Sequence, residues 1–460
     1  MTGTIRRIAG PFSRVEGDLE ITLDITDGHV AQARVTATLY RGFESLLTGR
    51  APMDGLVLVP RICGICSAAQ SAAAARALAH LTGVQAPPNG RLAAEIVLAC
   101  ETLADHLTHF ALFFMPDFAH PTYRGRAWFE TVAARFGDSS GGSSARLLAA
   151  RTRLLDLMGL FAGKWPHTLA LQPGGTTKAI DAAERMRALS LLAECREVME
   201  AVLYGGPIGA IGEIASRSTL DSWTGGDFGL FLTLARDLNL DALGRGPAAF
   251  LSQDAGTCVI DGQSVPFDPA GVREDLASSW YHGETEPDAD KAGAYSWCKA
   301  PRLNGRAMEV GALARAITSG DPLALDLVAG RGGTVRDRVV ARLIEAARLL
   351  DRIGAAIRAL TPGEPFCIEP HLPADGEAHG LVEAARGTLG HWIRVENGVI
   401  RRWQVIAPTT WNFSPRDATG QPGPLEQALA GTPAIGDDGT PIAVQHVVRS
   451  FDPCMACTVH

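Results

Sequence analysis

With 460 residues, 46% of them apolar and 20% charged, the chain has the length and balance of a globular protein with a sizeable core. A net charge of -8 and the lack of any Lys/Arg cluster exclude nucleic acid as an expected partner. No uninterrupted apolar run looks long enough to cross a bilayer. No apolar region follows Arg6-Arg7, so this chain is not expected to carry a secretory leader.

From Leu19 to Ile25 every odd position is apolar; Asp27-Gly28 follows, and Ala31, Ala33, Val35, Ala37 and Leu39 alternate again. That pattern predicts a half-buried hairpin over residues 18–40 with a type I′ turn. The period then becomes helical: an Ala-rich stretch at 66–82, and a long apolar-faced helix over 91–115 that ends at Pro116. Gly137 to Ser144 reads as an exposed loop before a helix at 145–162. A further helix over 178–204 is stopped by Gly205-Gly206-Pro207. Residues 215–305 are rich in Gly, Asp and Pro, with short strands expected near 256–266. Val335, Val339, Leu343, Ala346 and Leu350 form one stripe of a helix that runs to Leu360. A hairpin around Glu396-Asn397-Gly398 is expected over 391–406. No repeat or linker divides the chain. The expectation is one α+β body over 1–460, mainly α, with strands near both ends and a terminal segment at 450–460.

Of nine cysteines, Cys100, Cys195, Cys258, Cys298 and Cys367 are scattered singly, which argues for reduced thiols rather than a disulfide framework. The other four form two C-x-x-C pairs near opposite ends, Cys63/Cys66 and Cys454/Cys457. A structural zinc site normally gathers its pairs within one small module, and a thioredoxin motif needs one pair after a strand. Two distant pairs point instead to a buried centre with soft ligands, suited to nickel or iron. Cys66 begins the Ala-rich helix, whose dipole is expected to favour thiolate, and Pro453 fixes the backbone before Cys454. Asp452 is expected to be a buried acceptor, and Arg386 is a candidate for the positive charge that such a site needs.

Ordered blocks run the length of the chain: Ser13-Arg-Val-Glu-Gly17, Arg41-Gly-Phe-Glu44, Arg61-Ile-Cys-Gly-Ile-Cys66 and Asp105-His-x-x-His-Phe110. Tyr295-Ser-Trp-Cys-Lys-Ala-Pro-Arg302, Met308-Glu-Val-Gly311, Ala385-Arg-Gly-Thr-Leu-Gly-His-Trp392, Pro408-Thr-Thr-Trp-Asn412 and Ser450-Phe-Asp-Pro-Cys-Met-Ala-Cys457 continue them. In these blocks the chain resembles the large, catalytic subunit of the [NiFe]-hydrogenases. The resemblance implies a central bundle of long helices with small antiparallel sheets. It also implies a nickel held by all four cysteines, with Cys63 and Cys454 terminal and Cys66 and Cys457 bridging to an iron that carries CO and two cyanides. Arg386 and Thr409 stand where cyanide donors are expected, next to Pro408. Asp105 and Asp452 stand as carboxylate anchors of Arg386, and Glu16 as the relay for protons leaving Cys454 or Arg386. Without the resemblance, Glu16 reads as a salt-bridge partner of Arg14. Glu44 and His460 resemble the pair that binds a hydrated magnesium-like ion. His106 and His109 read as hydrogen-bonded interior histidines.

Gln70 replaces a histidine common in the family, and Ala385 replaces a proline. Ile65 and Phe113 are bulky at positions where valine and leucine are usual, which is expected to narrow the gas path. On a regular helix, Phe113 and Asp105 would approach one cavity. With a chain that stops at His460, these departures resemble the hydrogen-sensing, regulatory subgroup, in which slow, oxygen-tolerant H2 oxidation reports to a histidine kinase. The alternatives are a respiratory uptake enzyme and a non-catalytic assembly scaffold. The lack of cysteines for a relay implies an obligate small subunit carrying the iron–sulfur clusters. Maturation proteins and a dimer of heterodimers are expected as well. The sensor reading favours the cytoplasm; an uptake enzyme would associate with the membrane through partners.

Overall fold

The alternating segments at the N-terminus form an antiparallel sheet in the computed structural model, which describes residues 4–138, 140–283, 285–434 and 440–458. Strands β2 (Leu19–Thr26) and β3 (His29–Ala37) bury Leu19, Ile21 and Leu23 against Val30, Ala33 and Val35. Asp27 (φ 52) and Gly28 (φ 74) make the turn with both central residues at positive φ, as type I′ requires. The sequence pattern missed β1 (Ile5–Ala9), which pairs with β2 from Ile5↔Ile25 to Ala9↔Ile21. Ile5 and Ile8 do not alternate cleanly and both stay exposed, so edge pairing left no periodic trace.

Helix α1 (Ser67–Thr82) is buried over most of its surface, as suits a helix whose alanines give it no polar face. It lies against the C-terminal strand β4 (Gly376–Ala384) at very short range. A Cβ at Gly380 would fall 2.2 Å from the Ala77 nitrogen and 2.3 Å from the Ala73 oxygen, so only glycine admits this approach. Helix α2 (Pro88–Thr108) packs on α1, on α3 (Gly142–Ala162) and on α5 (Val335–Ala359), while α4 (Ala182–Val198) packs on α3. A capping box of Thr334 and Asp337 starts α5. One core cluster extends from Ala9 to Cys457.

Three helical expectations are corrected. The helix expected over 91–115 is α only to Thr108; His109–Phe114 is a π turn, and Pro116 sits in the 3-10 turn Met115–Ala119. The helix over 178–204 likewise ends in a π turn, Met199–Tyr204, before Gly205 (φ 63). Apolar periodicity cannot tell an α turn from a single π turn, because both keep the same stripe facing the core. In the supposed loop at 137–144, α3 already begins at Gly142, and Ser143 and Ser144 are buried. The expectation about apolar length is corrected too. Pro88–Ala119 is long and apolar enough to cross a membrane, but 83% of its window is buried inside the protein, as in a core helix.

At the other end, β4, β5 (Gly387–Glu396) and β6 (Val399–Ile406) form a three-stranded antiparallel sheet, turned at Asn397 and Gly398. The expected hairpin was the second half of this sheet. Ala384 pairs with Gly387, leaving Ala385 and Arg386 at the tip of the first turn. Short elements α6 (Pro408–Asn412), α7 (Ile442–Ser450) and α8 (Met455–Thr458) complete the chain. The strands expected near 256–266 are Thr257–Ile260 and Gln263–Pro266. The same region also contains a helix, Gly226–Asp237, hidden by its flanking glycines. The observed architecture is the expected α+β fold, long helices with small antiparallel sheets.

Candidate metal centre

Each cysteine pair lies at the start of a helix. Cys63 and Cys66 follow the 3-10 turn Val59–Arg61, with Cys66 as the residue before α1. Cys454 precedes α8 and Cys457 lies within it. Asp452 holds the left-handed conformation (φ 56), which turns the chain between α7 and Pro453. The two ends meet through a parallel bridge between Glu16 and Cys454, closed by the Met455 N–H on the Glu16 carbonyl at 2.7 Å. Arg41, which the sequence reading left without a role, straps the pairs together. Its guanidinium donates to the Ile62 carbonyl, to Ala456 at 3.0 Å and to Arg61 at 3.2 Å.

The sulfurs of Cys63 and Cys454 are 3.3 Å apart, those of Cys66 and Cys457 3.0 Å, and those of Cys454 and Cys457 2.9 Å. All four lie within 4.8 Å of one another and all are buried. Metal–sulfur bonds of about 2.3 Å put sulfurs sharing one ion up to about 4.6 Å apart, so the cluster is close to the span of a shared metal. Its protonation says the same. Hydrogen bonds from Cys454, Cys457 and Cys66 draw the Cys63 thiol well below its usual value. Burial, then the hydrogen bond to Cys454, pushes Cys457 well above it. Cys66 is also pushed up, first by Cys454. Four thiolates can coexist here only around a cation, and the soft donor set suits nickel or iron. Among the described residues, no other group of three or more side chains is placed to hold a metal.

Arg386 overhangs the cluster from the β4–β5 turn. It donates to Asp105 at 2.5 and 3.2 Å, to the Asp452 carboxylate at 3.1 Å and to the Asp452 carbonyl at 2.9 Å. Burial pushes the Asp105 carboxyl up and Arg386 pulls it back; burial also acts on Asp452, but Arg386 and then His109 hold it below the usual range. Beside Cys66 and Cys457 a small cavity is closed by Arg386, Thr409, Pro408 and Gln70; the space open to a water centre there is about 10 Å³. Thr409 Oγ1 accepts the Cys454 N–H at 3.1 Å.

Glu16 is half-buried; burial first, then Cys63, raises its carboxyl, while Arg386 and Arg41 pull it down. Arg14 pairs with Asp117, so the plain salt-bridge reading of Glu16 is not what the fold makes. Glu44 is buried, with Lys299 Nζ on one oxygen at 2.5 Å and the Val405 N–H on the other at 2.9 Å. His460 lies outside the described residues. His106 meets Glu345 at 2.7 Å and His109 meets the Arg449 carbonyl at 2.7 Å, while burial pushes His109 down to about 3. Ile65 and Phe113 are both half-buried, and Ile65 packs on the main core. Phe113 stands on the π turn, so the regular-helix argument that aligned it with Asp105 does not hold. Neither residue lines the small cavity.

Glu101 was missed by the sequence reading. It is buried, and its two oxygens accept the N–H groups of Ala68 and Ala69 at the start of α1. A second acid, one helical turn before Asp105 and between Val97 and Ala104 on a buried helix stripe, was the available signal.

Fold and site together define a metalloprotein in which both chain ends converge on one buried thiolate cluster. The chain matches the nickel-dependent hydrogenase family over residues 41–127 and 145–460. It therefore belongs to that family, as a [NiFe]-hydrogenase large subunit. It is 29% identical to the periplasmic [NiFeSe] hydrogenase large subunit of Desulfomicrobium baculatum, covering 100% of this chain and 95% of that one. It is 27% identical to the hydrogenase-2 large chain of Escherichia coli K12 (98% and 96% covered). Against the uptake hydrogenase large subunit of Rubrivivax gelatinosus the identity is 28% (99% and 95%). The reduced Ni-Fe-Se hydrogenase of D. vulgaris Hildenborough superposes with a TM-score of 0.85 at 29% identity, with 100% of each chain covered.

Proposed function

We propose that this chain splits H2 heterolytically at a nickel–iron pair held by Cys63, Cys66, Cys454 and Cys457, and passes the electrons to an iron–sulfur small subunit. The observation that carries this reading is four buried sulfurs within 4.8 Å of one another, overhung by an arginine fixed between two carboxylates. When bound, the metal pair supplies the Lewis acid that polarises H–H and the acceptor for the electron pair. The cavity lies against Cys66 and Cys457, the two sulfurs that would hold the iron together with the nickel, with room beside them for its small ligands. Arg386 and Thr409 border the same cavity, as donors to its contents.

The proton is taken by the Cys454 sulfur and Glu16 carries it outward, while Asp105 and Asp452 keep the Arg386 guanidinium charged, a donor rather than a base. The backbone bridge between Glu16 and Cys454 and the raised Glu16 carboxyl both support that role. Asp105 and Asp452 fix the guanidinium by charge-assisted hydrogen bonds. Glu44, buried beside Lys299 and the Val405 N–H, would serve with His460 for a hydrated magnesium ion. Electrons need a partner because the remaining cysteines are single and scattered.

The role we infer is detection of H2 at low, oxygen-tolerant turnover, signalled to a histidine kinase. Gln70 on the cavity wall, and the bulk of Ile65 between the paired cysteines, support it. H2 uptake is the second reading, supported by relatives that bear that name. Metal analysis with infrared spectroscopy of the heterodimer tests the centre: about one nickel per chain with CO and cyanide bands is expected, and their absence refutes it. Ile65→Val with Phe113→Leu tests the role. The double variant should lose activity in air that the parent keeps, and equal tolerance would discard the gate.

A further inference from the structure

Gln70 lies one turn into α1, fully buried, with its backbone N–H on the Cys66 carbonyl at 3.1 Å and its side chain on the wall of the small cavity. Its Oε1 is 2.8 Å from His391 Nε2, and His391 Nδ1 is 3.1 Å from Trp403 Nε1. These three side chains come from α1, β5 and β6, all buried. The chain of bonds has one consistent direction. An indole N–H only donates, so His391 Nδ1 is the acceptor and Nε2 carries the ring hydrogen. Nε2–H in turn donates to Gln70, which fixes the carbonyl end of the amide against His391. The NH2 end is left facing away, and it is buried without any hydrogen-bond partner, sulfur included. A buried amide donor left unmade is costly, and such exceptions call for an occupant.

We infer that Trp403 and His391 are positioning residues that lock Gln70 so that its Nε2 donates to an acceptor bound in the cavity beside Cys66 and Cys457. The acceptor is a small, linear, electron-rich diatomic of the cyanide kind; a side chain on an α helix and a fixed amide give it a donor that cannot turn away. This rests on the nickel–iron reading proposed above. The donor would withdraw charge from that ligand alone, in addition to whatever Arg386 and Thr409 give.

Infrared spectroscopy of the heterodimer, with nickel content as a control, tests the inference. Gln70→Met keeps length and burial but removes the donor. One cyanide band is expected to move while the other cyanide band and the CO band stay nearly in place. Trp403→Phe leaves Gln70 intact but frees the His391 tautomer, so the same band should split or broaden. Bands unmoved in Gln70→Met at full nickel content overturn the inference. All bands moving together also overturn it, because that pattern means Gln70 acts on a bridging sulfur. A parent without any CO or cyanide bands overturns the nickel–iron reading, and this inference with it. Should Gln70→Met fail to assemble, Trp403→Phe decides alone, and a single sharp parental band set there is refuting.

Discussion

Glu101→Gln tests whether the first cysteine pair is braced from the neighbouring helix. Cys66 gives α1 no side-chain cap, so the buried N–H groups of Ala68 and Ala69 depend on Glu101 at 2.8 and 2.9 Å. Trp165 Nε1 shares one of those oxygens at 2.8 Å. Glutamine keeps the shape but has one acceptor oxygen, and its NH2 then confronts a backbone N–H. Losing a hydrogen bond costs about 0.5–1.5 kcal/mol, and a stranded buried donor about 1–3 kcal/mol. Burial pushes the Glu101 carboxyl up to about 8, so it is mostly neutral near pH 7 and glutamine removes little charge there. The net loss expected near neutral pH is about 2 kcal/mol. The folded carboxyl is raised from 4.5, so its stabilisation is complete below that pH and is lost as pH rises through about 8. Glutamine does not titrate there, and the gap between parent and variant should narrow with rising pH. Denaturant midpoints of the heterodimer at about pH 5 and about pH 8.5 measure the gap, with nickel content measured alongside. A variant as stable as the parent at the lower pH, or a gap that widens with pH, would refute the brace.

Glu16→Gln should abolish turnover and H/D exchange while nickel content stays at the parental level; full exchange in that variant would discard the relay. Arg41→Ala removes the strap between the Ile62, Arg61 and Ala456 carbonyls, and it should lower nickel retention during dialysis against a chelator. The exposure of Arg41 limits the loss to about 1 kcal/mol, and unchanged retention would show that the cysteine pairs are held together without it. Asp105→Asn should weaken the hold on Arg386 and lower turnover at unchanged nickel content, whereas parental turnover would mean that Asp452 positions the guanidinium alone.

Much of the local architecture was legible because strands and turns write themselves into neighbouring residues. The alternation at 19–39 and the Asp27-Gly28 turn gave β2 and β3, and Asn397-Gly398 gave the β5–β6 hairpin. The π turn at His109–Phe114 was not legible, since its stripe looks α-helical, and that one turn removed the argument placing Phe113 beside Asp105. β1 was hidden because an exposed edge strand needs no apolar face. Glu101 was visible only as an acid out of place on an apolar helix. Its partners lie across a helix contact that no spacing rule reports.

By itself the sequence determined the ligand chemistry: four thiols in two pairs at opposite ends, with an arginine and carboxylates available to balance their charge. Side-chain identity decides softness, charge and hydrogen-bonding capacity, and none of these needs a fold to be read. Only the tertiary structure decided which sulfurs meet, that Arg386 stands at a two-residue turn between Asp105 and Asp452, and that Gln70 is turned by His391 and Trp403. Those relations join residues far apart in the chain. Close packing sets them, as where Gly380 lets α1 approach β4 within touching distance of its backbone.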